Sequence, residues 1–214
     1  MAYQGRAWAT DYPDADYNFS IRLSELTKTG VSKSATGEPN PLIVRPGDDA
    51  LFKCHFVMLY QAESLWFSDE DAARLRQYLL KGGFIWSDDF WGTYAWQNFE
   101  REFSKVLPQH RFTDVPSDHV IFRTLFDVKR VPQIPAINYW WGSGGQTSEQ
   151  GADSAEVHVR GILDERGRVM VLSTHNTDIS DGWEREGVDP AYFHQFSVNA
   201  YAVGINIALY AMTH

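Results

Sequence analysis

The chain is poor in the residues that most directly advertise a function. Among its 214 residues there is one cysteine, Cys54, so it can form no internal disulfide and carries no paired-thiol metal or redox motif. Cys54 stands in Lys53-Cys54-His55-Phe56-Val57, at the mouth of an apolar run, where packing is its expected role. No apolar run approaches the ~20 residues of a membrane span, and the first residues lack a signal-peptide pattern, so the chain reads as soluble with no span. Its compartment is not legible: a leader or anchor trimmed from ahead of Tyr3-Gln4-Gly5-Arg6-Ala7-Trp8 would make it exported or membrane-attached. Runs of lysine or arginine are absent as well. With 19 Lys and Arg against 28 Asp and Glu, the net charge of -9 disfavours nucleic acid and anionic membrane surfaces and favours cationic or neutral ligands.

What is present supports one substantial core. The hydrophobic fraction is 43%, and no shift in composition divides the chain, so residues 1–214 are expected to form a single domain. The organising stretch is Lys81-Gly82-Gly83-Phe84-Ile85-Trp86-Ser87-Asp88-Asp89-Phe90-Trp91-Gly92. Ser68 and Asp71 have the form of a capping box, and Ala72, Leu75 and Leu79 recur at helical spacing until Gly82-Gly83 ends the pattern. Phe84 to Trp86 is short and continuously apolar, as a strand covered on both faces would be. A second helical pattern, Ala95, Phe99, Phe103 and Val106, begins directly after the acidic turn.

Read in order, Gly5 to Ala9 is an expected first strand that delivers Thr10-Asp11-Tyr12-Pro13-Asp14 to a turn. Phe19, Leu23 and Leu26 mark a helix, Ile43-Val44 a short edge strand, and Phe56 to Tyr60 a second buried strand. Alternating strands and helices imply parallel pairing through right-handed crossovers. The expected fold is therefore α/β: a three-layer sandwich around a mainly parallel central sheet, extended by an antiparallel hairpin from Glu156 to Ser173 that turns at Asp164-Glu165-Arg166-Gly167. Asn138 to Gly145 is an aromatic, glycine-rich excursion, and Asp189-Pro190 opens the last helix as N-cap and first-turn proline.

Three polar turns, at Asp11-Tyr12, Asp88-Asp89 and His175-Asn176, each follow an expected strand, and open α/β sheets gather ligands at such carboxyl ends. The candidate site is Asp11, Tyr12, Asp88, Asp89, Phe90, Trp91, His175, Asn176, Asp181 and Trp183, with Asp89 and His175 the candidates for catalysis. Phe90, Trp91, Trp140, Trp141 and Trp183 are expected to wall it, their flat faces suiting sugar rings or cations. HExxH, a CxxC pair and an EF-hand loop are all missing, so no metal site is expected. Gly82-Gly83 precedes its strand and Gly142-Ser143-Gly144-Gly145 has no helix after it, so neither makes a phosphate cradle and no cofactor is expected. The partners that fit are a small molecule, a carbohydrate or a protein. Two uses stay open: binding without catalysis, or hydrolysis of a carbohydrate or peptide by Asp88 or Asp89 with His175.

Arg74-Leu75-Arg76-Gln77-Tyr78-Leu79 with Gly82-Gly83-Phe84 through Asp88-Asp89, Asn176 through Trp183, and the opening Thr10 to Asp16 together resemble the domain of unknown function 4159 family. That resemblance implies a fold similar to class I glutamine amidotransferases, of the flavodoxin-like kind, in bacterial proteins that are often exported or membrane-attached, with no established activity. Amidotransferases of that fold set a nucleophilic cysteine on a tight turn after a central strand and a histidine base after a later one. Here the turn reads Ser87-Asp88-Asp89-Phe90-Trp91-Gly92 and has no thiol. Asp89 falls near the nucleophile's position and His175 at that of the base. The resemblance implies an amidotransferase-like scaffold that has lost that chemistry and kept its pocket.

Overall fold

The computed structural model describes residues 7–214. It has a mixed α/β fold built on a five-stranded sheet. The strands are β1 (Phe56–Tyr60), β2 (Phe84–Asp88), β3 (Thr113–Asp114), β4 (His158–Leu163) and β5 (Val169–His175), in the order β1-β2-β5-β4-β3. β1, β2 and β5 are parallel, with Met58 opposite Trp86 and Trp86 opposite Leu172; β4 runs antiparallel to both β5 and β3. The hairpin is therefore not an appendage. Its second strand, β5, lies at the centre of the sheet, buried along its whole length, while β4 and β3 alone extend it.

Helices cover both faces. Alternation along β2 sends Phe84 and Trp86 to one side, where they pack with Ala15, Phe19 and Leu23 of α1 (Asp14–Leu26) and with Val203, Ile207 and Tyr210 from the C-terminal helix. Ile85 points the other way, against Leu75 and Leu79 of α2 (Asp69–Leu80) and Phe99 and Phe103 of α3 (Gly92–Val106). α2 starts at the expected capping box: Ser68 accepts from Asp71 N, and the Asp71 carboxylate accepts from Ser68 N. It ends where Gly82 adopts φ +104, a left-handed geometry that only glycine takes cheaply.

Shorter helices follow: α4 (Ile137–Gly142), α5 (Asp181–Glu184) and α6 (Pro190–Tyr192). The last of these passes through a π-helical turn, Phe193–Ser197, into α7 (Val198–Thr213). Asp189 caps α6 as expected, accepting from Ala191 N and Tyr192 N. The continuous helix Pro190–Thr213 is long and apolar enough to cross a membrane, which no run in the sequence suggested; most of its apolar stretch is buried against the sheet, as in a core helix.

Two sequence expectations change. Of the expected first strand, Gly5 and Arg6 lie outside the described residues, and Ala7–Ala9 form a 3₁₀ turn rather than a strand. Ile43 and Val44 pair with nothing in the sheet; they belong to a loop alongside β1. Among the described residues β1 is consequently an edge strand, although its sequence reads as a fully covered one.

Candidate functional site

The site is built where β2 and β5 end. β2 finishes at Asp88, and the chain reverses through Asp89, whose φ of +51 is left-handed, before α3 begins at Gly92. β5 finishes at His175, and Asn176 also adopts a left-handed φ, +64. Aspartate and asparagine tolerate that region better than other side-chain-bearing residues, which is why they fit these two turns. The turns are stitched together: Asp89 N donates to Thr177 O, Asn176 N to Phe90 O, and Gly92 N to Asn176 Oδ1, while Asn176 Nδ2 donates to Glu156 O. Asn176 is thus a structural clamp that spends its side chain on backbone partners.

On the α1 face the turns, the loop before α1 and α5 converge on one hydroxyl. Ser180 Oγ lies 2.6 Å from Asp11 Oδ2, 2.9 Å from Asp178 Oδ1 and 3.2 Å from Asp88 Oδ2. Asp88 also accepts from Thr174 Oγ1 at 2.5 Å and Ser180 N at 3.0 Å, and Asp178 from Asp181 N at 2.8 Å. Carboxylate oxygens of Asp11, Asp89 and Asp178 all lie within 4.8 Å of one another, close enough to share one cation; those of Asp11, Asp181 and Glu184 form an adjoining group. No metal ligand set was expected because no local motif supplies one. The three acids come from three separate segments and meet only in the fold.

A hydroxyl has one proton to give, so Ser180 can donate to only one of its three carboxylate neighbours at a time. When it turns away, Asp88 keeps its Thr174 and Ser180 N donors and Asp178 its Asp181 N, whereas Asp11 has no other side-chain hydrogen bond among the described residues. Burial works against the charged forms. It pushes Asp11 up to about 6 and Asp88 to about 7, in the latter against the opposing pull of its Thr174 and Ser180 donors. Asp89 and Asp178, buried and facing other carboxylates, are held well above the ordinary range, and Glu184 is raised to about 8 by burial and then by Asp11. Among the described residues the cation that pairs with the group is Arg185, 3.6 Å from Asp181 Oδ1 and 2.7 Å from Glu184 Oε2, at its periphery.

Of the residues expected here, Asp11, Asp88, Asp89 and Asp181 do come together, all buried. Asp181 is partly committed to structure, since it accepts from Ile137 N and the Tyr192 hydroxyl. Trp91 stays with the site, its indole N–H donating to Asp89 Oδ1 at 3.1 Å. His175 does not belong. Thr174 reaches Asp88, so the next residue of the strand points to the opposite face, where His175 packs on Phe90 and Trp96 and bonds Gly92 O at 3.0 Å. That carbonyl can only accept, so Nε2 carries the proton; Nδ1 has no partner among the described residues, and burial lowers the imidazole to about 4.

The expected aromatic wall is not assembled either. Phe90 lies in the α3-side core, and Trp183 is fully buried between Phe19 and Trp86. Trp140 packs on Tyr192 and Phe196, and Trp141 is exposed, its indole bonded to Asp189. Tyr12 stacks near Trp8, beside a separate cavity. These residues are amphipathic, and their placement in loops did not reveal that the loops fold back over the core. Conversely, Asp178 and Ser180, central to the cluster, lie in the polar Asn176 to Trp183 stretch that carries the family resemblance but are not among the expected site residues.

Compared with known families, residues 1–212 match the sequence model of Domain of unknown function (DUF4159), and the chain belongs to that family. No curated protein matches the chain.

Proposed function

We propose that this DUF4159 chain is a ligand-binding module without catalytic activity, on an amidotransferase-like scaffold, and that its acidic cluster receives a cationic group of the ligand or a metal cation. The observation that carries this reading is the contest for Ser180 Oγ: three buried carboxylates surround one hydroxyl, and Asp89 stands beside them. Buried carboxylates are retained at a cost unless protons or a cation neutralise them, and a cation bound here would replace protons rather than join them. The scaffold reading draws on the parallel β1-β2-β5 core and on Asp89, whose left-handed conformation at a strand-to-helix turn is that of a nucleophile elbow. At that elbow a carboxylate replaces the thiol, and no imidazole faces it. The hydrolase reading, with Asp88 or Asp89 working with His175, draws no support from a histidine on the other face of the sheet.

The test is calorimetric titration with Mg²⁺, Ca²⁺, Mn²⁺ and, separately, guanidinium- and amine-bearing ligands, each in two buffers of different ionisation enthalpy near pH 7. Saturable binding whose apparent enthalpy changes with buffer, reporting proton release, and which Asp178→Asn abolishes, is the expected result. If no cation binds, or binding releases no protons and survives Asp178→Asn, the reading fails. Ammonia release from glutamine, measured on the same preparation, should be at background; release abolished by Asp89→Asn would return the elbow to catalysis.

A further inference from the structure

A second site lies outside the acidic cluster. A cavity of about 510 Å³ runs along β1 beside loop 41–46, within the size range of small-molecule sites. Its interior is apolar and wraps the sheet edge: Phe19 and Met212 come from the α1 side, Phe67 and Leu75 from the α2 side. None of Asp11, Asp88, Asp89, Asp178 or Asp181 lines it.

The exposed part of this lining is amphipathic. Leu42 and Ile43, 63% and 49% exposed, hold apolar side chains in water at the loop, and Arg45, Lys53 and His55 are the exposed basic residues of the same lining. Lys53 and His55 precede β1, at its amino end. Neither Arg45 nor Lys53 makes an ion pair among the described residues, and the neighbouring acids are engaged elsewhere: Asp48 accepts from Arg45 N, and Asp49 pairs with Arg74. Asp16, the acid of this lining, belongs to the first turn of α1, and its charge acts on Tyr60, the last residue of β1, roughly 13 Å from the first at the rise of an extended strand. Bases and acid are therefore set apart along the strand.

We infer that this cavity binds a single-tailed amphiphile with an anionic head, of the fatty-carboxylate class, its tail lying along β1 and its head among Arg45, Lys53 and His55. The apolar interior suits a tail. Lysine and arginine can only donate, so a carboxylate answers them with charge and lone pairs together, an alcohol with lone pairs alone and an ammonium with neither. An amine would find its one acid, Asp16, at the far end of the strand. The net charge of -9 does not forbid an anion here, because charges beyond about 8–10 Å are largely screened and the head meets the local bases. The site is independent of the cation-binding reading, and either can fail without the other. The competing occupant, an extended peptide added to the edge of β1, would use backbone groups and have no need of the bases.

The experiment uses N-phenyl-1-naphthylamine, a neutral apolar fluorophore, bound to the whole chain near pH 7 and displaced by decanoate, 1-decanol or decylamine, which share one tail. Decanoate should displace it at a concentration at least tenfold below decylamine and threefold below decanol, and should slow maleimide labelling of Cys54, which also lines the cavity. Salt at about 0.5 M should erase the lead over decanol, since exposed charges are screened. Arg45→Glu combined with Lys53→Glu, at two exposed positions, should reverse the order of decanoate and decylamine while the fluorophore still binds. If that variant does not fold by circular dichroism, Arg45→Gln combined with Lys53→Gln decides, by losing the lead over decanol. Equal displacement by all three tails, decanol or decylamine ahead in the wild type, no saturable fluorophore binding, Cys54 labelling unchanged by decanoate, an order that the substitutions do not move, or displacement only by an alternating valine–threonine heptapeptide would each overturn the inference.

Discussion

Replacing Asp89 by asparagine isolates the electrostatic cost of the acidic cluster. The substitution keeps size and shape, Oδ1 can still accept from the Trp91 indole, and asparagine is at ease at the observed φ of +51. Only a charge is removed. Two unit charges at the 4.8 Å limit of this cluster repel by about 3 kcal/mol at an effective dielectric near 20. Escaping that repulsion by holding a proton at pH 7, against an ordinary aspartate near 3.8, costs about 4 kcal/mol, so the two routes set a similar ceiling. Asp89→Asn is therefore expected to stabilise the cation-free protein by about 2–4 kcal/mol at pH 7, a rise in Tm of roughly 5–15 °C for a chain of this size. The sign follows from linkage. Asp89 is raised in the folded state, so above pH 3.8 the folded protein holds a proton that the unfolded chain has released; wild-type stability falls as pH rises through that window, and below it both states are protonated and the penalty vanishes. The advantage of the variant should shrink to nothing near pH 4. With a bound cation at a thousand times its Kd the order should reverse, because the wild type gains about 4.1 kcal/mol that the variant forgoes. Thermal unfolding of both proteins from pH 4 to 8 decides it: an equal loss of stability in the variant at every pH would mean that the cluster is already neutral and satisfied, and the argument from repulsion would be refuted.

Three further outcomes follow from neighbouring contacts. Thr174→Val deprives Asp88 of its 2.5 Å donor and the Trp86 indole of its 2.8 Å acceptor, and should cost about 2–4 kcal/mol in urea unfolding; a loss under 1 kcal/mol would show that these groups re-pair. His175 should stay neutral and Nε2-protonated by NMR from pH 8 down to about 5. Because the unfolded chain takes up its proton first, near 6.5, His175 should withdraw up to about 3 kcal/mol of stability as pH falls from 6.5 to 4; a midpoint near 6.5 in the folded protein would contradict its burial. Gly92→Ala should cost about 1–3 kcal/mol, since φ there is +79 and a Cβ would collide with Gln150 and with the Asp153 carboxylate that holds Thr93 N and Oγ1; unchanged stability would mean that this turn has room to relax.

Much of the scaffold is legible in the sequence because local chemistry and tertiary packing agree there. The Ser68 capping box, the Ala95, Phe99, Phe103 and Val106 stripe, the apolar run at Phe84 and the Asp189-Pro190 start all appear where their patterns put them. The sheet order is less legible, since nothing in the Glu156–Ser173 hairpin says that its second strand pairs with β2 as well as β4. The candidate site divides by strand parity. Strand ends do place Asp88 and Asp89 at the cluster, and Asp11 joins them although Ala7–Ala9 before it is a 3₁₀ turn and not the expected strand; but a strand sends successive side chains to opposite faces, and the residue of β5 that reaches the acids is Thr174. His175, the more reactive type, faces the α3 core. Parity was available in the sequence; the register that fixes which parity faces the acids was not.

The cluster's position also limits what kind of feature it is. A carboxylate that serves only to cap or brace is satisfied by its own donors, as Glu102 is by Phe67 N and Lys105 Nζ, and Asp164 by Arg166 N and Arg168. Asp11 and Asp89 have one side-chain donor each, the Ser180 hydroxyl and the Trp91 indole, and Asp178 has Asp181 N and a share of that hydroxyl. Among the described residues the guanidinium of Arg185 reaches only their edge, at Asp181, and they gather beside the carboxyl ends of β2 and β5, where open α/β sheets admit ligands. Burial without local compensation is costly enough that asparagine or serine would stabilise the fold better at one or more of these positions. In a chain already at a net charge of -9, compensation of these acids falls either to protons that they hold themselves or to the cation proposed above, and the titration with proton release separates the two.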